Sequence, residues 1–213
     1  MDLLKDQLDN EITWRTDELS IIKTLPYLHA FSEKQKTVFQ KYSIPAIYSL
    51  WEGFVVSSIS IYIREINKLN INPHELDINI LVHDIDCKLN LNNPRVHFEK
   101  KITFVNTFIE HIKSSNISIS STLPTESNVN YKVICKILTR VNLPALAEDV
   151  FQKKLDKLLR IRNHFAHGEN SITVDDKLIA ELIELVIHLM HEICNIILDG
   201  YNNRLFLRIM PKL

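Results

Sequence analysis

Two residues near the end of one predicted helix, Arg162 and His167, could together act on an anionic substrate. An arginine is a permanent cation whose planar head can bind phosphate or carboxylate oxygens through two parallel hydrogen bonds. A histidine can take up or release a proton near neutral pH. Such a pair is suited to moving a proton while negative charge on a transition state is stabilised.

Arg162 stands where an apolar side chain is expected. With about 100° per residue and Leu155 at zero, the apolar residues of 151–166 form one stripe, and Arg162 projects to its middle at about 340°. Burying an unpaired guanidinium costs several kcal/mol, so a compensating partner is needed. Two explanations stay open: a structural ion pair with an acid such as Glu52 or Glu65, or a cleft in which an anion binds.

His167 follows Arg162 by five residues, so its ring projects about 140° away from the guanidinium on a continuous helix. That spacing differs from the i,i+4 spacing of two metal-chelating residues on a helix. We expect Gly168 to let the chain leave helical geometry and re-aim the ring. Asn163, four residues before His167, could orient the imidazole.

Other kinds of site have weaker support. No Cys or Asp is spaced to complete a metal site with the four histidines of this region, so we expect no metal and no cofactor. Of these four, His188 and His191 are expected to be packing or surface residues. Neither a glycine-rich phosphate loop nor a Ser or Cys nucleophile in a triad context occurs. The four histidines are His164, His167, His188 and His191.

Composition favours a helical, soluble protein. Only three glycines occur in 213 residues, which is few for a sheet protein with many turns. The net charge is −1, so any RNA contact must come from a local basic patch. Cys87, Cys135 and Cys194 are far apart and odd in number, which predicts buried free thiols. No signal peptide and no long uncharged apolar stretch is recognised, so we expect a cytoplasmic protein.

The pattern of apolar residues and helix-breaking residues predicts one all-α domain, residues 1–213, with its core at about 40–200. Ser32 and Gln35 form a predicted capping box, and Pro45 is expected to kink or restart the helix that follows. A loop-rich insert occupies 114–130, with one short strand, and 90–94 is also loop-like. Helices are predicted at 5–25, from 32, at 46–69, from 73, at 96–112, 129–140, 146–166 and 176–198, with a tail at 201–213.

Residues 162–167 read Arg-Asn-His-Phe-Ala-His and are followed by Gly168-Glu169. This string resembles the Arg-x4-His signature of the HEPN superfamily (higher eukaryotes and prokaryotes nucleotide-binding domains), especially its toxin-like ribonuclease branches. Residues 48–55, which contain Trp51-Glu52, are similar to an aromatic–Glu segment on an early helix of those branches. A weaker match is Ser127-Asn128-Val129.

The resemblance implies a HEPN-like helical bundle that dimerises through the motif face and cleaves RNA without a metal. His167 would be the general acid or base, Arg162 would neutralise the phosphorane, and Asn163 would be a supporting residue. Glu52 would either hold Arg162 or be an exposed acid. Trp51 would belong to the core or dimer interface, or would stack on a base.

Three functional hypotheses stay open. The first is an RNA endonuclease that acts as a toxin or abortive-infection effector, with an antitoxin or a regulatory ATPase as its partner. The second is a non-catalytic HEPN module that binds RNA, nucleotide or protein, and the third is a structural helical dimer. Some HEPN toxins carry a tyrosine, modified by a partner enzyme, where this chain has Glu169. That departure argues against the same mode of silencing here.

Overall fold

The computed structural model describes residues 2–89, 98–123, 125 and 128–208. These residues form helices and no strand, apart from one isolated bridge between Leu76 and Leu207, and the all-α prediction is therefore confirmed. The described helices are α1 (Asp2–Leu28), α2 (Glu33–Lys68), α3 (Ile78–Leu89), α4 (Phe98–Lys113), α5 (Tyr131–Arg140), α6 (Glu148–Ala166) and α7 (Asp176–Asn202).

The central element is α2, which packs against α1, α6 and α7. Because it has neighbours on several sides, it buries apolar residues around much of its circumference, including Ile47, Trp51 and Phe54. By length and composition α2 could also cross a membrane, but 61% of its most apolar window is buried inside the fold. That burial is typical of the core helix of a soluble protein.

Local capping signals set several helix ends as predicted. Ser32 accepts a hydrogen bond from the Gln35 backbone, and the Gln35 side chain accepts one from the Ser32 N–H, which completes the capping box at the start of α2. Asp175 caps α7 by accepting from the N–H of Leu178 at 2.8 Å. Each signal lies within four residues of the helix end that it fixes.

Proline and glycine interrupt the helices less than predicted. The first helix continues through Pro26 to Leu28, so the stop predicted there is wrong. Helix α2 runs unbroken through Pro45, so of the two outcomes predicted there, a kink or a restart, the restart is wrong. Packing of α2 on three helices outweighs the hydrogen bond lost at the proline. The last helix runs through Gly200, where a Cβ would lie 2.1 Å from Cδ2 of Leu143. The absence of a side chain at Gly200 therefore leaves room for the Leu143 side chain.

The middle of the chain differs most from expectation. The helix predicted from Pro73 is only a turn, and α3, which was not predicted, begins five residues later. No strand forms in the described part of the predicted insert, 114–123, 125 and 128–130. The predicted loop at 90–94, the start of the 96–112 helix and the end of the C-terminal tail, 209–213, lie outside the described residues.

Candidate active site at the end of α6

The sixth helix places Arg162 at the edge of its buried face. Its buried residues are Phe151, Leu155, Leu158, Ile161 and Phe165. The buried stripe is therefore centred nearer Leu158 than predicted, because Ile161 belongs to it and Ala166 is exposed. Arg162 is consequently half-buried, and the expectation that it lies in the middle of the stripe is wrong.

The guanidinium of Arg162 has an aromatic face on one side and an amide at its end. Its Cζ lies 4.2 Å from the centroid of the Tyr48 ring, within the range of a cation–π interaction. One of its terminal nitrogens donates to Oδ1 of Asn163 at 2.8 Å. These two contacts orient the cation. Asn163 thus supports Arg162 through its side chain and contacts His167 only by a backbone hydrogen bond of 3.0 Å.

Tyr48 is a site residue that the sequence did not single out, although it lies in the segment that resembles HEPN proteins. It is 1% exposed, and its hydroxyl accepts a hydrogen bond from the N–H of Val129. Trp51 donates from Nε1 to the carbonyl of the same Val129 at 3.0 Å. Trp51 is fully buried, so it is a core residue and offers no stacking surface for a base. Together these two side chains clamp the segment before α5 onto α2.

Electrostatic effects around Tyr48 oppose one another. Burial raises the pKa of its hydroxyl, and the nearby carboxylate of Glu52 raises it further. The hydrogen bond from Val129 and the positive charge of Arg162 act in the opposite direction. The phenol therefore stays protonated at neutral pH, and its ring presents a neutral, electron-rich face to the guanidinium.

Two buried acceptor atoms lie near this clamp. Within the described part of the chain, nothing hydrogen-bonds to Oε1 of Glu52 or to Oδ1 of Asn128, although both atoms are buried. Glu65, the other acid considered as a partner for Arg162, accepts from Lys68 at 2.5 Å and from Gln7 at 2.9 Å. Ser127, the first residue of the weaker match, lies outside the described residues.

His167 is exposed at the end of α6. Its N–H keeps the helical hydrogen bond to the carbonyl of Asn163 at 3.0 Å, while its φ of −88° and ψ of 6° lie in the bridge region between helix and turn. The chain leaves the helix one residue later, at Gly168, whose φ is +77°. The N–H groups of Gly168 and Glu169 bond back to the carbonyls of Phe165 and His164, which is a Schellman motif. The predicted role of Gly168 at the helix end is confirmed, but the backbone does not re-aim the His167 ring.

His164, not His167, organises the loop after the helix. Its Nδ1 lies 2.8 Å from Oε2 of Glu169, and its Nε2 accepts a hydrogen bond from the N–H of Ser171 at 3.1 Å. Because Nε2 accepts, the proton of the neutral ring is on Nδ1 and is donated to Glu169. The loop therefore covers His164, whose side chain is 9% exposed, and leaves His167 open to solvent.

Side chains of α2 hold the same loop from the other end. Lys36 and Gln40 both bond to the carboxylate of Asp176, at 2.5 and 2.6 Å, and Lys41 contacts Oδ1 of Asn170. The hydrogen bond and charge of Lys36 lower the pKa of Asp176. The segment from Gly168 to the start of α7 is therefore fixed at both ends.

The remaining candidate groups have structural environments. In residues 2–89, 98–123, 125 and 128–208, no group of three or more His, Cys, Asp or Glu could hold a metal ion. All three cysteines are free, with Cys194 buried and Cys87 and Cys135 half-buried, so burial is less complete than predicted. His188 packs edge-on against Phe151, with 5.0 Å between ring centroids, and His191 is exposed.

Comparison with protein families connects this geometry to a known group. The family model described as MAE_28990-like HEPN matches residues 4–206. The chain belongs to this HEPN family. Members of the HEPN superfamily are often ribonucleases, so membership relates the protein to RNA-directed chemistry in general terms. Neither the curated proteins nor the solved structures include a match to this HEPN protein.

Proposed function

We propose that this HEPN protein is a metal-independent RNA endonuclease of a toxin–antitoxin or phage-defence system that acts in the cytoplasm. The observation that supports the proposal is the placement of the Arg-x4-His motif in a chain that matches a HEPN family over residues 4–206. Within that motif, the guanidinium of Arg162 is oriented by Tyr48 and Asn163, while His167 is open to solvent.

The proposed reaction is an internal transesterification. The 2′-oxygen of one ribose forms a bond to the adjacent phosphorus, the bond from phosphorus to the 5′-oxygen breaks, and a 2′,3′-cyclic phosphate and a 5′-hydroxyl remain. His167 takes the proton of the attacking hydroxyl or gives a proton to the leaving oxygen. Arg162 stabilises the extra negative charge of the phosphorane through charge-assisted hydrogen bonds.

A homodimer would bring these groups together. In one chain the Arg162 and His167 side chains project from different sides of α6, so a second copy is needed to complete a site that contains both. An exposed line along α2 beside the motif fits such contact, with Val38 48%, Tyr42 71% and Val56 37% exposed at helical spacing. Glu52 lies on this line at intermediate burial, and its Oε1 is a buried acceptor to which no described residue donates.

The test is cleavage of a mixed RNA pool in EDTA, with product ends identified chemically. We expect wild type to produce cyclic phosphates and His167→Ala to lower kcat by about 100-fold or more. His191→Ala, an exposed histidine on α7, is the matched control and should retain wild-type activity. Equal products from wild type and His167→Ala would show that the histidine is not catalytic.

Two further variants examine the guanidinium and the second copy. Arg162→Lys should remain impaired, because a single ammonium cannot reproduce two parallel hydrogen bonds to phosphate. Mixing Arg162→Ala with His167→Ala should restore part of the activity if each chain completes the other's site. No recovery from a mixture that demonstrably forms mixed dimers would contradict the shared site.

A second candidate is a non-catalytic HEPN module that binds RNA, nucleotide or a partner protein. The contacts of Arg162 with Tyr48 and Asn163 would then be structural. Such a module would bind RNA equally well with and without His167 and would leave no cyclic phosphate. For the nuclease, expression in bacteria should be toxic, and His167→Ala should relieve the toxicity. Co-expression of the partner that we propose, an antitoxin or a regulatory ATPase, should suppress it.

A further inference from the structure

Helix α6 concentrates positive charge in a chain that is otherwise balanced. Residues 150–167 contain five Lys and Arg residues and a single acid, Asp156, whereas the whole chain contains 25 basic and 26 acidic residues. Glu148 and Asp149 precede this stretch in the first turn of α6, where acids suit a helix N-terminus. The stretch therefore begins one turn into the helix and ends at the motif.

Helical geometry arranges part of this charge in a line that leads to His167. Lys153, Arg160 and His167 are spaced by seven residues, which is close to two full turns, or about 10.5 Å along the axis. Lys157 lies between the first two and is displaced by roughly 50° around the helix. All four side chains are exposed. We call Lys153, Lys157 and Arg160 the α6 basic ridge.

One acid outside α6 contacts the ridge. Glu181 of α7 lies 3.2 Å from Nζ of Lys157, with both side chains about half exposed, 48% and 45%. An exposed ion pair of this kind contributes little to stability and is easily replaced by another anion. The lysines of α2 near the motif are engaged in structural contacts, unlike those of the ridge. Lys36 bonds to Asp176 and Lys41 contacts Asn170, so both hold the loop between α6 and α7.

We propose that the α6 basic ridge binds consecutive phosphates of a single-stranded RNA whose scissile bond lies at His167. This inference rests on the proposed function and adds the substrate class and a path for it. A single row of cations matches a single row of phosphates, whereas a duplex presents two rows across a groove. The path from the first residue of the ridge, Lys153, to His167 is about 21 Å long, which is enough for several nucleotides of an extended strand.

The experiment compares two triple variants that each lose three positive charges. The ridge variant is Lys153→Gln/Lys157→Gln/Arg160→Gln. The control is Lys23→Gln/Lys101→Gln/Lys113→Gln, which changes exposed lysines on α1 and α4. Cleavage is measured with a labelled single-stranded RNA pool, and binding is measured in the His167→Ala background between 50 and 200 mM salt (roughly the range over which phosphate contacts weaken strongly). Circular dichroism establishes that each variant is folded.

We expect the ridge variant to raise KM on the order of tenfold with kcat unchanged. Its log Kd against log salt should have a slope reduced by about 2, because each lost single-strand phosphate contact changes the slope by about 0.7. The control variant should have the same KM and the same salt slope as wild type. Glu181→Gln should tighten RNA binding, because it releases Lys157 for phosphate.

The outcomes separate this inference from the proposed function. Absence of cleavage by wild type, together with ridge-dependent binding of the RNA, would refute the nuclease and support the ridge. Active cleavage with the same KM and salt slope in the ridge and control variants would overturn the ridge and leave the nuclease standing. Equally strong ridge-dependent binding of duplex RNA would overturn the assignment to single strands.

Discussion

Replacing Tyr48 with phenylalanine removes one oxygen atom from the clamp that joins α2 to the segment before α5. That oxygen accepts a hydrogen bond from the N–H of Val129, and both residues are at most 1% exposed. Because water cannot reach the N–H, its desolvation is left uncompensated, at a cost of about 1–3 kcal/mol. For a chain of this size we expect a melting temperature lower by roughly 2–12 °C.

A second substitution distinguishes the contribution of the Tyr48 hydroxyl from that of its aromatic ring. Tyr48→Leu removes the same acceptor and also the aromatic face that lies under the guanidinium of Arg162. Loss of the cation–π interaction and of core packing should cost a further 1–3 kcal/mol, roughly. Only this variant frees the guanidinium to adopt other orientations, so kcat for RNA cleavage should fall in Tyr48→Leu and remain near wild type in Tyr48→Phe.

Urea unfolding followed by tryptophan fluorescence measures the stability difference, since Trp14 and Trp51 are the only tryptophans and Trp51 belongs to the clamp. The slope of the unfolding free energy against urea should not change. A Tyr48→Phe protein that unfolds at the wild-type urea concentration would refute the clamp. Equal kcat values for the phenylalanine and leucine variants would refute the role of the ring in orienting Arg162.

Substitutions at three other positions, Gly168, Gly200 and His83, each test a separate feature. Gly168→Ala should cost about 1–2 kcal/mol from its φ of +77° alone, because no atom lies within 4 Å of the added Cβ, and Gly168→Asn should cost less; equal melting temperatures for wild type and the alanine variant would contradict this. Gly200→Ala should cost about 1–3 kcal/mol through its contact with Leu143, and Leu143→Ala should relieve part of that loss in the double variant. Burial lowers the pKa of His83, so between pH 6.5 and that lowered pKa the unfolded chain binds this proton more fully than the folded chain does. Unfolding free energy should therefore fall as pH falls below 6.5, by at most about 1.4 kcal/mol per pH unit from this group, and His83→Gln should reduce that slope in urea titrations.

Features set by neighbours in the sequence could be predicted well. The capping box at Ser32 and the helix end at Gly168 depend on residues within four positions, and both occur as expected. The location of Arg162 and His167 near the end of one helix followed from apolar periodicity for the same reason. Their relative orientation was less predictable, because it depended on whether His167 or Gly168 would leave the helix first.

Features set by distant residues could not be predicted. Among the described residues the buried arginine is Arg15, 3% exposed, which donates to the carbonyl of Leu50 and pairs with Glu11. Gly53 leaves space for its guanidinium, 3.4 Å from the position of a Cβ. Only the packing of α1 on α2 brings these groups together. The contacts of His164 with the following loop were hidden for a related reason. With Leu155 at zero, His164 projects to about 180°, opposite the apolar stripe, which predicts a solvent-facing ring.

The fourth helix shows a practical consequence of shallow packing. It packs mainly on α3, and the only side chain it buries among the described residues is His111, which contacts Asp84 at 2.6 Å. Its outer face leaves Phe98, Ile102, Val105 and Ile109 between 41% and 71% exposed. An exposed apolar face of this kind promotes self-association in concentrated samples. Charged substitutions intended to improve crystallisation or expression therefore belong on α4, away from the helices that carry the motif.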